Sequence, residues 1–330
     1  MRKMLVRETV LVLAAAVLAA GMLASCSMDD VNMPYSPYFK IEKKDGVYVA
    51  CGIYEDRLPE DGNIEIPDGV ELDETWDVVY DKSDKRPGRN LDSSKVNSIS
   101  IPAGASSKTL GNIPNLAGWP NSGEADIDII YQGSLADWCE NGNLNVSLHR
   151  AKSIQVDGGQ TDPRMLERIT ASDIAGAKRI GDGAFSSCEK LTSVEIPDSV
   201  TEIGDYAFMS CTGLTSVTIG KGVKKISNGA FYGCGGLTTV DIPGSVTEIG
   251  DSAFYNCSQL KEIAIPNSVT EIGGEAFYGC KSLESVTFAK TDGWYCVNSD
   301  GNKVSVDFSD PKNNAGILKE EHPTYARKTE

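Results

Sequence analysis

Hydrophobic positions recur along this chain at a fixed step of 23 residues. Phe185, Phe208, Phe231, Phe254 and Phe277 keep that spacing. So do Cys188, Cys211, Cys234, Cys257 and Cys280, and Leu191, Leu214, Leu237, Leu260 and Leu283. No insertion breaks the step from Ile180 to Phe288. Repetition at this period marks a solenoid, in which each unit lacks a closed core and buries its apolar face against the next. Within one unit, Val194 and Ile196 alternate with Ser193 and Glu195, which predicts a strand with one buried face and one wet face. Pro197 has no N–H to give and ends the ladder locally. Val200 and Ile203 return to the core, and Gly204-Asp205 opens a tight turn. Ala207, Phe208 and Cys211 follow at helical spacing, which predicts one short turn of helix.

Upstream of the array the same pattern returns in degraded form. Ile64-Glu65-Ile66-Pro67-Asp68-Gly69-Val70 copies Val194-Glu195-Ile196-Pro197-Asp198-Ser199-Val200, and Val96 to Pro102 copies Leu191 to Pro197. Gly46 to Tyr54 is rich in β-formers, whereas Asp81 to Asn90 is a charged loop. Ile127 to Tyr131 alternates like a strand. Leu135 to Cys139 reads as a short helix with Ser134 as N-cap, and Ser153 to Gly158 as a strand and turn. The expected organisation is a leader over 1–25, a tether over 26–45 and degenerate β-rich repeats over 46–126. An interrupting element and bridge over 127–170 then precede the regular array at 171–289, and a cap and tail over 290–330 close the chain. The cap reading rests on Tyr295-Cys296-Val297 and Val304-Ser305-Val306, which flank Asp300-Gly301 as a hairpin would. Asn298 to Asn302 is only loosely like a calcium loop, and the closing Glu is missing.

Charge and composition narrow the function. The chain has 47 acidic against 31 basic residues, a formal charge of −16, and such a body repels phosphate backbones, so nucleic acid is not an expected partner. Arg2, Lys3 and Arg7 precede a short apolar run, Val10 to Ala20, flanked as in a secretion signal. It ends in Leu23-Ala24-Ser25-Cys26, which looks like a bacterial lipobox and would make Cys26 the lipidation site. A plain signal peptide cut near Ala24 is the other reading. The acidic residues after Cys26 resemble the surface-export signal of some lipoproteins, or serve only as a solvated tether.

The column cysteines occupy places where a small apolar residue would be buried, which predicts free thiols. There is no CxxC, and His149 and His322 are the only histidines, so neither a metal nor another cofactor is expected. No base–nucleophile pair or phosphate loop stands out, and an enzyme is not expected. Tyr232, Tyr255 and Tyr278 follow core phenylalanines directly, in a column completed by Met209 and Ser186. They form either an exposed binding stripe or rings packed over the solenoid edge. The strand positions Glu195, Thr218, Asp241, Ala264 and Thr287 carry no aromatic anchor for a tight flat interface.

Leu191-x-x-Val194-x-Ile196 resembles the leucine-rich-repeat strand signature without its usual Asn. The fuller string, Ile-Gly-Asp-x-Ala-Phe-x-x-Cys-x-x-Leu-x-x-Val-x-Ile-Pro-x-Ser-Val-Thr, runs twice through Ile203 to Glu248, with Ser227 for Gly and Gly220 for Pro. It resembles the BspA-like leucine-rich repeat. Tyr131-Gln132-Gly133-Ser134 with Trp138 is similar to an interrupting element of that family, and Gly293 to Pro311 to its closing segment. The resemblance implies a β-rich leucine-rich-repeat solenoid with a parallel sheet, short helical turns and a C-terminal cap. It also implies a bacterial surface lipoprotein without shared catalytic residues, which binds host or bacterial surface proteins in adhesion. The expected location is the outer membrane, facing outward. A periplasm-facing structural lipoprotein and a glycan-binding accessory protein are the alternatives.

Overall fold

A computed structural model describes residues 36–37, 39–54, 58–79, 96–103, 105, 125–141, 151–156, 162–297, 303–319 and 324–327. Contacts divide the chain into Met1–Tyr35 and Ser36–Glu330, and the described residues all belong to the second unit. Cys26, the leader, the charged loop 81–90, His149, Asn298 to Asn302 and His322 lie outside them.

The chain is a parallel β-solenoid. Ahead of the array come β1 (Phe39–Lys44), β2 (Val47–Tyr54), β3 (Asn63–Glu65), β4 (Val70–Val79), β5 (Ser98–Ile101), β6 (Ala125–Tyr131), the helix α1 (Leu135–Asn141) and β7 (Ala151–Gln155). The array holds β8 (Arg168–Ile169), β9 (Arg179–Ile180), β10 (Ser193–Glu195), β11 (Glu202–Ile203), β12 (Ser216–Thr218) and β13 (Lys225–Ile226). It continues through β14 (Thr239–Asp241), β15 (Glu248–Ile249), β16 (Glu262–Ile265), β17 (Glu271–Ile272) and β18 (Ser285–Phe288). The cap is β19 (Trp294–Val297), β20 (Lys303–Ser305), the helix α2 (Pro311–Lys319) and β21 (Tyr325–Arg327).

Each rung of the array therefore crosses two parallel sheets. The first runs β8-β10-β12-β14-β16-β18 and the second contains β9-β11-β13-β15-β17. From β9 onward the parallel pairings join residues 23 apart, as in Val194 with Val217 and Ile203 with Ile226, while β8 meets β10 at 25 residues, as in Ile169 with Val194. A third face closes the rung. Its residues form hydrogen-bonded turns and not the short helix that the Ala-Phe-Cys spacing predicts. The reason lies in the backbone: two residues four apart turn left-handed, Tyr206 and Ser210 in one rung and Ser252 and Asn256 two rungs on. The N–H groups of Tyr206, Phe208 and Ser210 are then free of the local turn and donate to Asn228, Ala230 and Tyr232 of the next rung at 2.7–2.8 Å. A helix would have kept those donors to itself.

Side chains repeat this stacking inside. Phe208, Phe231, Phe254 and Phe277 are fully buried, with ring centroids 5.3 Å apart and planes within 9° of parallel. Thr215 Oγ1 donates to Thr192 O and Thr238 Oγ1 to Thr215 O, so these threonines add a second bond along the first sheet. Asp182 Oδ1 accepts from Asp205 N, Asp205 Oδ1 from Asn228 N, Asn228 Oδ1 from Asp251 N, and Asp251 Oδ1 from Gly274 N, all at 2.7–2.9 Å. The Gly-Asp of the repeat is thus more than a turn signal, because its carboxylate clips each rung to the next.

The degenerate segment also stacks: β3, β5, β6 and β7 form one parallel sheet. Ile64 and Ile66 are buried, as are Ile99 and Ile101, in the places Val194 and Ile196 hold in the array. α1 is capped by Ser134 as predicted, with Ser134 Oγ accepting from Asp137 N and Asp137 Oδ2 from Ser134 N. It joins the array through Gly181 N on Cys139 O at 2.6 Å and through the indole N–H of Trp138 on Ala184 O at 2.8 Å.

Two ends differ from the sequence reading. β1 begins inside the segment assigned to the tether: Phe39 and Ile41 are buried, but a two-residue alternation among lysines is too short to read as periodic. The polar tail supplies β21, which pairs antiparallel with β17 and β19 and so joins the cap hairpin to the second sheet. α2 covers the end of the first sheet, where Asn314 Nδ2 donates to Val286 O and Phe308 O and Lys319 Nζ to Leu283 O. Two Asn and a Gly within α2 obscure it in the sequence, since all three are weak helix formers. The hairpin read around Asp300-Gly301 is present as β19 and β20. Lys40, Lys43 and Lys44 on β1 and Lys303 on β20 are exposed, and charge on such edges discourages pairing with another chain.

If rung stacking carries the fold, Phe231→Ala should cost about 3–5 kcal/mol in urea unfolding through the cavity it leaves. A loss below about 1 kcal/mol would show that the central ring column is not the core.

Candidate functional site

The third face brings the three predicted tyrosines together. Tyr232 and Tyr255 stack with centroids 4.7 Å apart and planes 3° from parallel, and Tyr255 and Tyr278 at 5.1 Å and 29°. All three are half-buried. The column position lies one residue after the inward Phe, so it points outward, and the rung spacing puts successive rings in contact. The rings pack on each other along the edge of the solenoid, and a margin of each meets solvent. Met209 and Ser186 continue the column toward the N-terminal rungs.

What surrounds Tyr232 and Tyr255 is polar but uncharged, whereas the rung of Tyr278 carries the exposed Glu275 and Lys281. Residues 206–220, 226–240 and 252–260 contain no Asp, Glu, Lys or Arg. The third-face positions there are Tyr, Met, Ser, Thr, Gly, Asn and Gln. Asp205 and Asp251 border the face, each with one oxygen held in the rung-to-rung ladder. Sequence reasoning missed Tyr206, which is 41% exposed at a left-handed position (φ 55°) on this face. Its turn conformation depends on stacking and leaves no local signal.

The first sheet offers a second concavity. A shallow groove of about 490 Å³ is lined by the outward residues of β12, β14, β16 and β18, among them Thr218, Asp241, Glu262, Ala264 and Thr287. Its lining mixes hydroxyl, acidic and aliphatic groups, with no ring to anchor a partner. The second sheet carries charge pairs between rungs, as in Lys225 Nζ with Glu248 Oε1 at 2.8 Å. Glu248's hydrogen bond raises the Lys225 pKa, but a surface pair of this kind is worth only about 0–1 kcal/mol.

The cysteine column is internal. Cys211, Cys234, Cys257 and Cys280 are free thiols with no exposure. Each donates to the carbonyl of a Phe 26 residues earlier, as in Cys234 Sγ to Phe208 O at 3.1 Å. A thiol fits here because it fills a small apolar space and still satisfies that carbonyl. The Cys188 thiol is pushed well up by its hydrogen bond with Cys211 and by burial, and those of Cys234 and Cys257 chiefly by burial. Among the described residues no group of three or more His, Cys, Asp or Glu is arranged to hold a metal ion. Nor is any helix there long and apolar enough to cross a membrane.

Residues 178–293 match a family described as "BspA type Leucine rich repeat region", in six copies. The array resembles that family throughout its regular stretch. Among solved structures, a leucine-rich repeat protein from T. pallidum is 37% identical over 34% of this chain and 54% of its own, with a TM-score of 0.34. One from Bacteroides ovatus is 23% identical over 77% of this chain and 40% of its own, with a TM-score of 0.32. A leucine rich cell surface protein from Faecalibacterium prausnitzii is 19% identical over 80% of this chain and 97% of its own, with a TM-score of 0.41. The chain spans about half the length of the first of these and less of the second. No curated protein matches it.

The raised thiol pKa values make stability depend on pH in a definite direction. Below the ordinary thiol value of 9.0 both folded and unfolded chains keep the protons. Above it the unfolded chain ionises and the folded one does not, so stability falls as pH rises through 9. The urea midpoint should therefore drop between about pH 7.5 and pH 10. Replacing Cys188, Cys234 and Cys257 by Ala should flatten that drop, and an unchanged drop would place its cause elsewhere.

Proposed function

We propose that this chain is a lipid-anchored cell-surface protein that binds other surface proteins in adhesion and does no chemistry of its own. In this reading Cys26 carries the lipid, and the outward third face of the repeat array carries the contact residues Tyr232, Tyr255 and Tyr278. The observation that supports it most is the stacked tyrosine column, with the rungs of Tyr232 and Tyr255 uncharged on this face of a strongly acidic chain. Tyrosine offers a large, amphipathic contact with few rotatable bonds, and Ser, Gly and Asn around it supply adaptable hydrogen bonding. Binding loops of antibodies use the same composition. The rings here are already ordered by each other, so little conformational entropy is lost on contact. The match of residues 178–293 to the BspA-type repeat family is consistent with a binding scaffold. The first-sheet groove has no comparable anchor.

Two measurements test the proposal. On intact cells, added protease should remove the protein, whereas survival until the envelope is broken would exclude an outward-facing adhesin. On printed arrays of matrix proteins and glycans, changing Tyr232, Tyr255 and Tyr278 together to Ala should weaken protein binding at least about tenfold, as expected when anchoring aromatics are lost. Binding equal to wild type would retire the column as the contact surface.

A further inference from the structure

We propose that Tyr206 is a further contact residue of the third face, pre-set to receive an uncharged apolar segment of another protein. This inference rests on the reading of that face as the binding surface.

Tyr206 stands in a column whose other members are Gly183, Gly229, Ser252 and Glu275. All five have left-handed backbones, with φ between 54° and 64°. A glycine adopts that region freely, but a bulky aromatic is a true outlier there, and such outliers persist only where surroundings impose them. The surroundings are the rung-to-rung bonds: Tyr206 N donates to Asn228 O at 2.8 Å, and Met209 N to Tyr206 O at 3.0 Å. The next rung supplies a seat for the ring. A Cβ on Gly229 would lie 2.4 Å from Tyr206 Cε1 and 2.5 Å from Cδ1, so only glycine leaves room for the ring edge.

The ring fills no core. It is 41% exposed, more open than the tyrosines of the stacked column. Its hydroxyl makes no hydrogen bond within them. The left-handed backbone serves the rung-to-rung bonds at Gly183, Tyr206, Gly229 and Ser252 alike, and a tyrosine there adds an amphipathic ring fixed on the surface. A ring held in this way loses little freedom when a partner covers it.

The chemistry of the partner follows from the surroundings. From Tyr206 to Gly220 and from Ile226 to Val240 no residue is charged, in a chain of which 24% is charged. Met209 lies one turn bond from Tyr206 and heads the tyrosine column. An anionic segment would lose hydration here without meeting an opposite charge, and the bordering Asp205 already accepts from Asn228 N. An apolar segment carrying hydroxyls or amides would not. A glycan fits less well, because sugar stacking needs open ring faces, and the faces within the Tyr232-Tyr255-Tyr278 column cover one another.

The test uses a phage-displayed library of random peptides, panned against the immobilised full chain. Tyr206→Gly removes the ring and suits the left-handed backbone, so this variant should fold with an unfolding temperature equal to or above wild type. The expected result is enrichment of peptides poor in Asp, Glu, Lys and Arg, with binding that changes less than about twofold across added salt. Those peptides should bind Tyr206→Gly at least about tenfold more weakly and bind Glu271→Gln, on the second sheet, as they bind wild type. Charged or salt-sensitive peptides, no enriched peptide, or full binding to Tyr206→Gly would each overturn the inference. Glycan binding that is lost in Tyr206→Gly would also overturn it, by placing a sugar on the ring. If Tyr206→Gly binds normally while the triple Tyr→Ala variant does not, Tyr206 fails alone and the binding face stands. If the triple variant binds normally, the face itself is wrong.

Discussion

The distance between successive rungs governs everything else in this molecule. Parallel strands sit about 4.8 Å apart, and a 23-residue turn returns each side chain to a point directly above its predecessor. Only side chains that tolerate their own kind at that distance can occupy a column. Phenylalanine stacks flat, with ring centroids 5.3 Å apart. Threonine donates to the carbonyl below it, Asp or Asn accepts from the amide above, and cysteine donates to a neighbouring carbonyl. Each column is therefore a chain of identical nearest-neighbour contacts, and stability accumulates rung by rung.

The same constraint shapes the surface. An outward column presents like beside like in a straight row. This favours extended contact, as in the tyrosine stack, over the convergence of unlike groups that a catalytic centre requires. Specificity can then reside only where a column departs from its consensus. Tyr206 in a column otherwise held by small residues or Glu275 is one such departure, and Met209 heading the tyrosines is another.

Much of this was legible from spacing alone. The Phe, Cys and Leu columns specify the solenoid, and the Ile64-to-Val70 and Val96-to-Pro102 copies locate earlier strands that do stack in parallel. Alternation places Val194 and Ile196 inside correctly. What failed to show was conformation without composition. The turn at Ala207 to Cys211 has helical spacing but puts Ser210 in the left-handed region, and its amides at Phe208 and Ser210 serve the next rung. The Asp182-Asp205-Asn228-Asp251 ladder is visible as a repeated residue, yet its bonds exist only between rungs. Tyr206 looks like any variable position until its φ is known. The caps were hidden differently: β1 is too short to show a period, and α2 is held by Asn314 and Lys319 reaching the last strand and not by helix propensity.

The central claim is that the 23-residue period is the structural unit. It is tested most directly by deleting residues 214–236, which joins Gly213 to Leu237 and leaves every column in line. The account predicts a folded chain with the circular dichroism spectrum of the parent and cooperative unfolding at lower denaturant. An unfolded product, or one with altered β-signal per residue, would contradict it.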